Sequence, residues 1–547
     1  MSGNRTSSAS LFSKVVNLLN SGPWNDGPDC SEYEPEYERW DSSRLDAKVS
    51  NLMNGLQEDP SAPQADRSEP VLTENGALSY DSTTDPRLDL FFKTVRGMTS
   101  EYLFQLLEKS WEVSPRDTLR TMFYVRDCRG GKGERKIFWY FMNWLNQKDP
   151  SFFEKNIPCV PFYGSFKDLR RMYELNSELE QSLISFWCTV INKDIVSLNH
   201  GMDQSLTLAA KWVPIQDSRF CKEMGLTHKY FRKSIRLLRE KLDIVECKMS
   251  AGQWEQIYFE RVCSLSMKKY SKAFSKHCQE RFAGYLESVQ KGEKKMNVGQ
   301  LYPSDIAKEF LKSDSSCDES TLNVAWEQLL IKTRTSLSAN PKRFLCVVDT
   351  SGSMSGEPLN VAVSLGLFLS ELVPESSFYR KFITFSQTPQ LQEATGETLK
   401  DRINSLSRAA WEMNTDLQQV FDLVLSNSTK QDHPDVIIIL SDMQFDEATR
   451  ARAKSWGEDD IPLSATNLEQ IEGRYRESGI PRPRLIFWNL RPNTIDFPAT
   501  SAISNCGLVS GYSTSIIDSL LQEGDISPMS IYRKTIDSPR YDMVITE

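Results

Sequence analysis

Phe344-Leu345-Cys346-Val347-Val348-Asp349-Thr350-Ser351-Gly352-Ser353-Met354-Ser355-Gly356 decides how this 547-residue chain is read. Its first five residues are a continuous apolar run, partly β-branched and followed by polar residues, which is the pattern of a buried strand. Leu359 to Leu372 is an apolar stretch long enough for a helix. Strand, tight turn and helix form the opening unit of a parallel α/β sheet, whose sites lie beyond the carboxyl ends of the strands. Asp349, Ser351 and Ser353 stand there at every second position, and an extended turn directs their oxygens the same way. One carboxylate and two hydroxyls make a hard-oxygen set, suited to Mg2+ or Mn2+ rather than zinc.

Working outward, Val436-Ile437-Ile438-Ile439-Leu440 is the most strand-like run of the chain, and Ser441-Asp442 follows it directly. Asn414-Thr415-Asp416 opens a helix from Leu417 to Leu425. The Asp-x-Ser-x-Ser pattern is the signature of a metal-ion-dependent adhesion site, and this region resembles a von Willebrand factor A domain. The resemblance gives Thr415 the role of the second-loop threonine and Asp442 that of the aspartate after a later strand. It implies that Asp349, Ser351, Ser353 and Thr415 hold Mg2+ or Mn2+ directly or through water, and Asp442 through water. The free coordination position of such a site accepts a carboxylate from a protein partner. One departure is Met443, where many family members carry Gly. Further strands are expected at 343–348, 379–385, 484–488 and 507–509, in a six-strand sheet. The insertion 446–480 carries one more helix, over 466–477. The helix after the metal motif is apolar nearly all round, so it is expected to be covered by the sheet and by a second part of the chain.

The chain is long enough for two or three domains with real cores. Hydrophobic residues at 39% and charged residues at 25% are ordinary for a globular protein. No uninterrupted apolar run reaches the length of a membrane span, so no membrane partner is expected. Eleven cysteines without a C-x-x-C pair read as reduced thiols, which places the expected compartment in the cytoplasm, with the nucleus second. Residues 1–75 read as a mostly disordered leader rich in Ser, Asn, Pro, Asp and Glu, with one amphipathic island at Leu11, Phe12, Val15, Val16 and Leu19. Its composition argues against an organelle transit peptide.

Residues 76–335 are read as an α-helical domain, HEAT-like or a bundle, because apolar residues recur at helical spacing. Ile137, Phe138, Tyr140, Phe141, Trp144 and Leu145 are one such set. The net charge of -9 hides an asymmetry: residues 81–310 hold 37 Lys+Arg against 29 Asp+Glu, a net of +8, which leaves −17 elsewhere. Arg126 to Lys136 is glycine-rich and basic but is not a P-loop, since Gly133-Glu134 stands where phosphate binding needs Gly-Lys-Ser/Thr. It reads first as an interhelical turn with Arg126 paired to Asp127. The alternative is a phosphate-contacting turn using Arg129, Lys132, Arg135 and Lys136. Lys229 to Lys241 is a basic amphipathic helix whose Phe231, Ile235, Leu237 and Leu238 are expected in the core.

A longer resemblance rests on Leu72-Thr73-Glu74-Asn75-Gly76, Gly131-Lys132-Gly133-Glu134-Arg135, Tyr163-Gly164-Ser165-Phe166-Lys167-Asp168-Leu169, Ala210-Lys211-Trp212-Val213-Pro214 and Leu508-Val509-Ser510-Gly511-Tyr512-Ser513. It is to an uncharacterised family that pairs a helical domain of unknown function with a von Willebrand A-like domain, and it covers roughly residues 70 to 547. In layout the chain is more distantly similar to the Ro autoantigen (TROVE) proteins. The expected domains are therefore the leader, the helical domain, a Rossmann-like domain over 336–524, and a tail over 525–547 packed on the body. The leading expectation is a non-enzymatic, metal-dependent binding or scaffold protein. Single-stranded RNA binding by the basic helical domain is the second reading, and a Mg2+-dependent hydrolase the third. Phosphoryl-transferring hydrolases of the haloacid dehalogenase type need an aspartate where Ser351 stands, and no histidine follows His433 to complete a Ser–His–acid hydrolase.

Overall fold

The computed structural model describes residues 70–74, 77–312, 315–337, 343–372, 377–385, 389–407, 416–427, 432–445, 467–492, 494, 496–520 and 526–547. Nearly all of the expected leader, its amphipathic island included, lies outside them. Two short strands, Pro70–Leu72 (β1) and Leu78–Tyr80 (β2), form an antiparallel hairpin. A run of helices follows, and then six strands: Phe344–Val348 (β3), Lys381–Thr384 (β4), Gln390–Glu393 (β5), Val436–Ser441 (β6), Arg484–Asn489 (β7) and Cys506–Ser510 (β8). The chain thus joins a helical region to an α/β sheet.

The sheet order is β5-β4-β3-β6-β7-β8, parallel except for the antiparallel edge pair β4–β5. From β3 the chain moves to one side for β4 and β5, then returns to the other side for β6. The strand order therefore reverses between β3 and β6. Ligands of open α/β sheets bind at such a switch, outside the carboxyl ends of the strands. Register places Val348 opposite Leu440, so Asp349, Ser441 and Asp442 converge at that point.

The helices start where local chemistry starts them. Asp85 accepts the Arg87 N–H at 2.9 Å and Pro86 opens helix Pro86–Lys93. Ser114 accepts the Asp117 N–H at 3.2 Å and Pro115 opens Pro115–Arg126. A polar cap followed by proline satisfies an end donor and presets φ. Basic helix His228–Lys241 buries Phe231, Ile235 and Leu238, whereas Leu237, expected inside, is exposed because it falls off that face.

The two regions share their cores. One cluster joins Trp326, Leu329 and Leu330 of helix Glu319–Ser336 to the apolar helix Glu357–Ser370 and one face of the sheet. Helix Glu357–Ser370 is thus covered on both sides, with Phe368 edge-on to Trp326. A second cluster joins the helices between Leu88 and Leu238 to Tyr532, Ile536, Tyr541 and Val544 of the tail. The other face of the sheet packs with Ala77 and Phe92.

Within the helical region, burial pushes the Asp194 carboxyl up to about 7, although Thr207 donates both its N–H (3.1 Å) and its hydroxyl (2.7 Å) to it. An aspartate that is more basic folded than unfolded adds stability below its unfolded value near 4, and that contribution is lost as pH rises towards 7. Urea midpoints measured at pH 5 and pH 8 should therefore differ less in Asp194→Asn than in the parent chain.

Candidate metal centre

Asp349 directly follows strand β3, is wholly buried and is held to the neighbouring strand by its N–H to the Leu440 carbonyl at 2.9 Å. Asp349 Oδ1 accepts the Ser351 N–H at 2.9 Å, the local turn that Asp favours, and so folds the chain back after the strand. The Ser441 hydroxyl donates to Asp349 Oδ2. Ser351 and Ser353 lie with their hydroxyl oxygens 2.9 Å apart, so the alternation read in the sequence brings these two groups together. Gly356 has φ +93° and opens helix Glu357–Ser370 behind the loop.

Strand β6 brings Asp442, also wholly buried, beside them. Its Oδ1 accepts the Gln444 N–H at 3.2 Å, and its Oδ2 accepts from Arg491 Nη1 at 3.1 Å. Met443 adopts φ +72°, the left-handed conformation that glycine adopts without strain. Its buried side chain joins the sheet core and its N–H donates to Ser441 Oγ at 3.0 Å. The departure at 443 therefore changes the residue and keeps a glycine-like turn. Hairpin β1–β2 lies against the same loop, where Thr73 Oγ1 donates to the Phe445 carbonyl at 2.8 Å and the Glu74 N–H to Gln444 Oε1 at 2.6 Å. Thr415 lies outside the described residues. Its neighbour Asp416 is buried and caps helix Leu417–Asn427 through the Gln418 N–H at 3.0 Å.

Burial pushes the Asp349 carboxyl up to about 6, and the charge of Asp442 adds to that; the bonds from Ser441 and Ser351 pull the other way. Two carboxylates buried side by side repel unless a cation stands between them. The donors present are carboxylate and hydroxyl oxygens, which fits Mg2+ or Mn2+. Among the described residues no group of three or more His, Cys, Asp and Glu converges, so any such site depends on the serine hydroxyls. Sequence reading missed Arg491 and Asn489. The one available signal was an Asn and an Arg just past a core strand, in Asn489-Leu490-Arg491.

The basic turn needs correction. Lys132 is wholly buried, and its Nζ donates to the carbonyl of Phe91, to the carbonyl (2.9 Å) and hydroxyl (2.9 Å) of Thr94, and to Ser510 Oγ at 2.7 Å. It fastens the helical region to β8 and presents nothing to a nucleic acid. Arg129 and Arg135 are half-buried, and Arg129 Nη1 donates to the Phe162 carbonyl at 3.2 Å. Lys136 is exposed above the Tyr140 ring. Nor does Arg126 pair with Asp127. Arg126 bonds Asp168 at 2.7 Å, while Asp127 takes Arg540 of the tail.

Residues 343–539 match a family described as a domain of unknown function (DUF7788), and residues 73–181 and 221–337 match a second, also of unknown function (DUF2828). The two matches meet where helix Glu319–Ser336 gives way to β3. The chain is similar to "Uncharacterized protein L728" of Acanthamoeba polyphaga mimivirus, 26% identical over 506 residues, covering 84% of this chain and 86% of that one. Among solved structures it is similar to the RO (RSR) protein of Deinococcus radiodurans, with 10% identity and a TM-score of 0.30 over 96% of this chain and 99% of that one. A superposition that loose carries neither fold detail nor function from one to the other. Among the described residues, no helix is long and apolar enough to cross a membrane.

Proposed function

We propose that the chain is a non-enzymatic binding protein whose sheet is a von Willebrand factor A-type module, with Mg2+ or Mn2+ at its strand ends engaging a partner's carboxylate. The observation that carries this reading is the pairing of two wholly buried carboxylates, Asp349 and Asp442, at the point where the strand order reverses. Asp349, Ser351, Ser353 and Asp442 would hold the ion, with Thr415 as the further ligand implied by resemblance. When bound, the ion supplies positive charge between the carboxylates and an open position for an anionic oxygen. The chain's own part is to hold the oxygens in place through the Ser351 turn and the left-handed Met443 turn.

Thermal unfolding tests this reading. A ligand that binds only the folded chain adds about 2.7 kcal/mol at a hundredfold excess over its Kd. Saturating MgCl2 or MnCl2 should raise the unfolding temperature by several degrees relative to EDTA. Asp349→Ala and Asp442→Ala should abolish that rise. In EDTA, Asp349→Ala should unfold no earlier than the parent, because one source of repulsion is gone. A metal-induced rise retained in both variants would refute the assignment.

A separate observation favours a second reading, single-stranded RNA binding by the helical region. An open cavity of about 530 Å3 is lined by Tyr258, Glu260, Arg261, Arg281, Ser288 and Lys294 among others. Tyr258 is 63% exposed, with Lys248 Nζ 5.0 Å and Arg261 Cζ 5.4 Å from its ring centroid. Residues 248–295 hold ten Lys and Arg against five Asp and Glu. An aromatic face flanked by cations holds single strands by stacking and charge, at about 1–3 kcal/mol per stacked base. In fluorescence anisotropy across a salt series, Tyr258→Ala with Arg261→Gln should weaken RNA binding at least tenfold and flatten the salt slope. Unchanged binding in the double variant, or none by the parent at low salt, would exclude this groove.

A further inference from the structure

Arg491 lies two residues beyond β7 and is pinned there by its N–H to Asn489 Oδ1 at 3.0 Å. Its guanidinium reaches back to Asp442 Oδ2 at 3.1 Å. The two ends of that pair differ sharply, since the Asp442 side chain is wholly buried and that of Arg491 is 36% exposed. The buried charge is thus answered from the solvent side by a long side chain that can swing away. Asp349 has no such cation among the described residues, because its oxygens accept from Ser351 and Ser441. Of the two carboxylates, only Asp442 is answered by this arginine. Asn489 is wholly buried, and its Nδ2 has no acceptor among the described residues.

We propose that Arg491 is a displaceable counter-ion that competes with the divalent cation for Asp442 and so sets the metal affinity of the site. The inference rests on the metal reading above. A guanidinium and a divalent ion on one carboxylate repel each other through little intervening water, so they occupy it alternately. Metal-free chain keeps Arg491 on Asp442. Metal-loaded chain releases it at the rim of the site, where a freed guanidinium is a second group able to meet an incoming carboxylate.

The test is Mn2+ binding to the full chain, read from the electron paramagnetic resonance signal of unbound Mn2+. Arg491→Ala should bind Mn2+ at least about fivefold more tightly than the parent, the scale of a half-exposed ion pair plus the removed repulsion. Arg491→Lys, which keeps the charge and loses the planar fork, should fall between them. Adding Asp349→Ala should remove binding in every background. Arg491→Gln is measured alongside, so that a folding defect in the alanine variant does not decide the matter. Equal or weaker Mn2+ binding by both neutral variants, with the parent still binding, overturns the competition and leaves the metal reading intact. Binding by the neutral variants and not by the parent supports it most strongly. Absence of binding in parent and variants overturns both.

Discussion

Deleting residues 526–547 should leave a chain that does not reach its native state. This tail places Ile526, Ile531, Tyr532, Ile536, Tyr541 and Val544 in cores whose other members come from the sheet and from the helical region. Each large apolar side chain buried contributes about 1.5–3 kcal/mol, so the six together, at about 9–18 kcal/mol, match the roughly 5–15 kcal/mol by which domains are stable. Polar contacts lie on the same seam. Arg533 meets Asp117 at 2.8 Å, Arg120 meets Asp542 at 2.9 Å, and Tyr163 donates to the Arg540 carbonyl at 2.7 Å. Asp127 is wholly buried and takes Arg540 Nη2 at 2.8 Å and the Tyr541 hydroxyl at 3.2 Å. Removing the tail would take away that carboxylate's cation and leave it only the Arg129 and Gly130 N–H groups. The milder Tyr541→Ala should cost about 3–5 kcal/mol in urea unfolding. A truncated chain that stays soluble and unfolds cooperatively would show that the tail is an accessory.

Lys132→Met should destabilise the chain by about 3 kcal/mol, while Lys136→Gln, four residues on, stays within about 0.5 kcal/mol of the parent. Burial holds the Lys132 ammonium well below its usual range, against the pull of Glu134. Methionine would spare the desolvation of that charge, which sets a limit on the loss. It would also leave the Thr94 carbonyl without its donor. Ser510 can still reach the Phe91 carbonyl, since its Oγ already lies 3.4 Å away, so one acceptor is recovered and the other is not. Denaturant midpoints of the two variants make the comparison. Equal stability of Lys132→Met and the parent would show that the ammonium contributes nothing net.

The sheet was legible because apolar runs announce buried parallel strands. Phe344–Val348 and Val436–Ser441 are buried at every position, and each ends on the aspartate pattern that the sequence displayed. Edge strand Gln390–Glu393 carried no such signal. It is polar and mostly exposed, and it pairs only with β4. Hairpin β1–β2 is likewise invisible in the pattern, its first strand falling in the expected leader and its second in the expected helical domain, because three-residue strands leave no periodicity and its outer partner, Phe497, is far along the chain. Lys132 misled for a related reason. A lysine in a glycine-rich turn looks solvated until its acceptors are known, and Ser510 lies 378 residues away. Asp127 and Arg540, 413 residues apart, form the same kind of contact. Of the five expected metal ligands, Asp349, Ser351, Ser353 and Asp442 lie at adjoining strand ends. Arg491 was invisible because sequence shows a charge without showing which carboxylate it answers.

Titration calorimetry of Mn2+ into the full chain and into Asp349→Ala tests the metal centre most directly. One saturable site in the parent, absent from the variant, is the predicted result. Equal heats and equal affinity in the two proteins would contradict it.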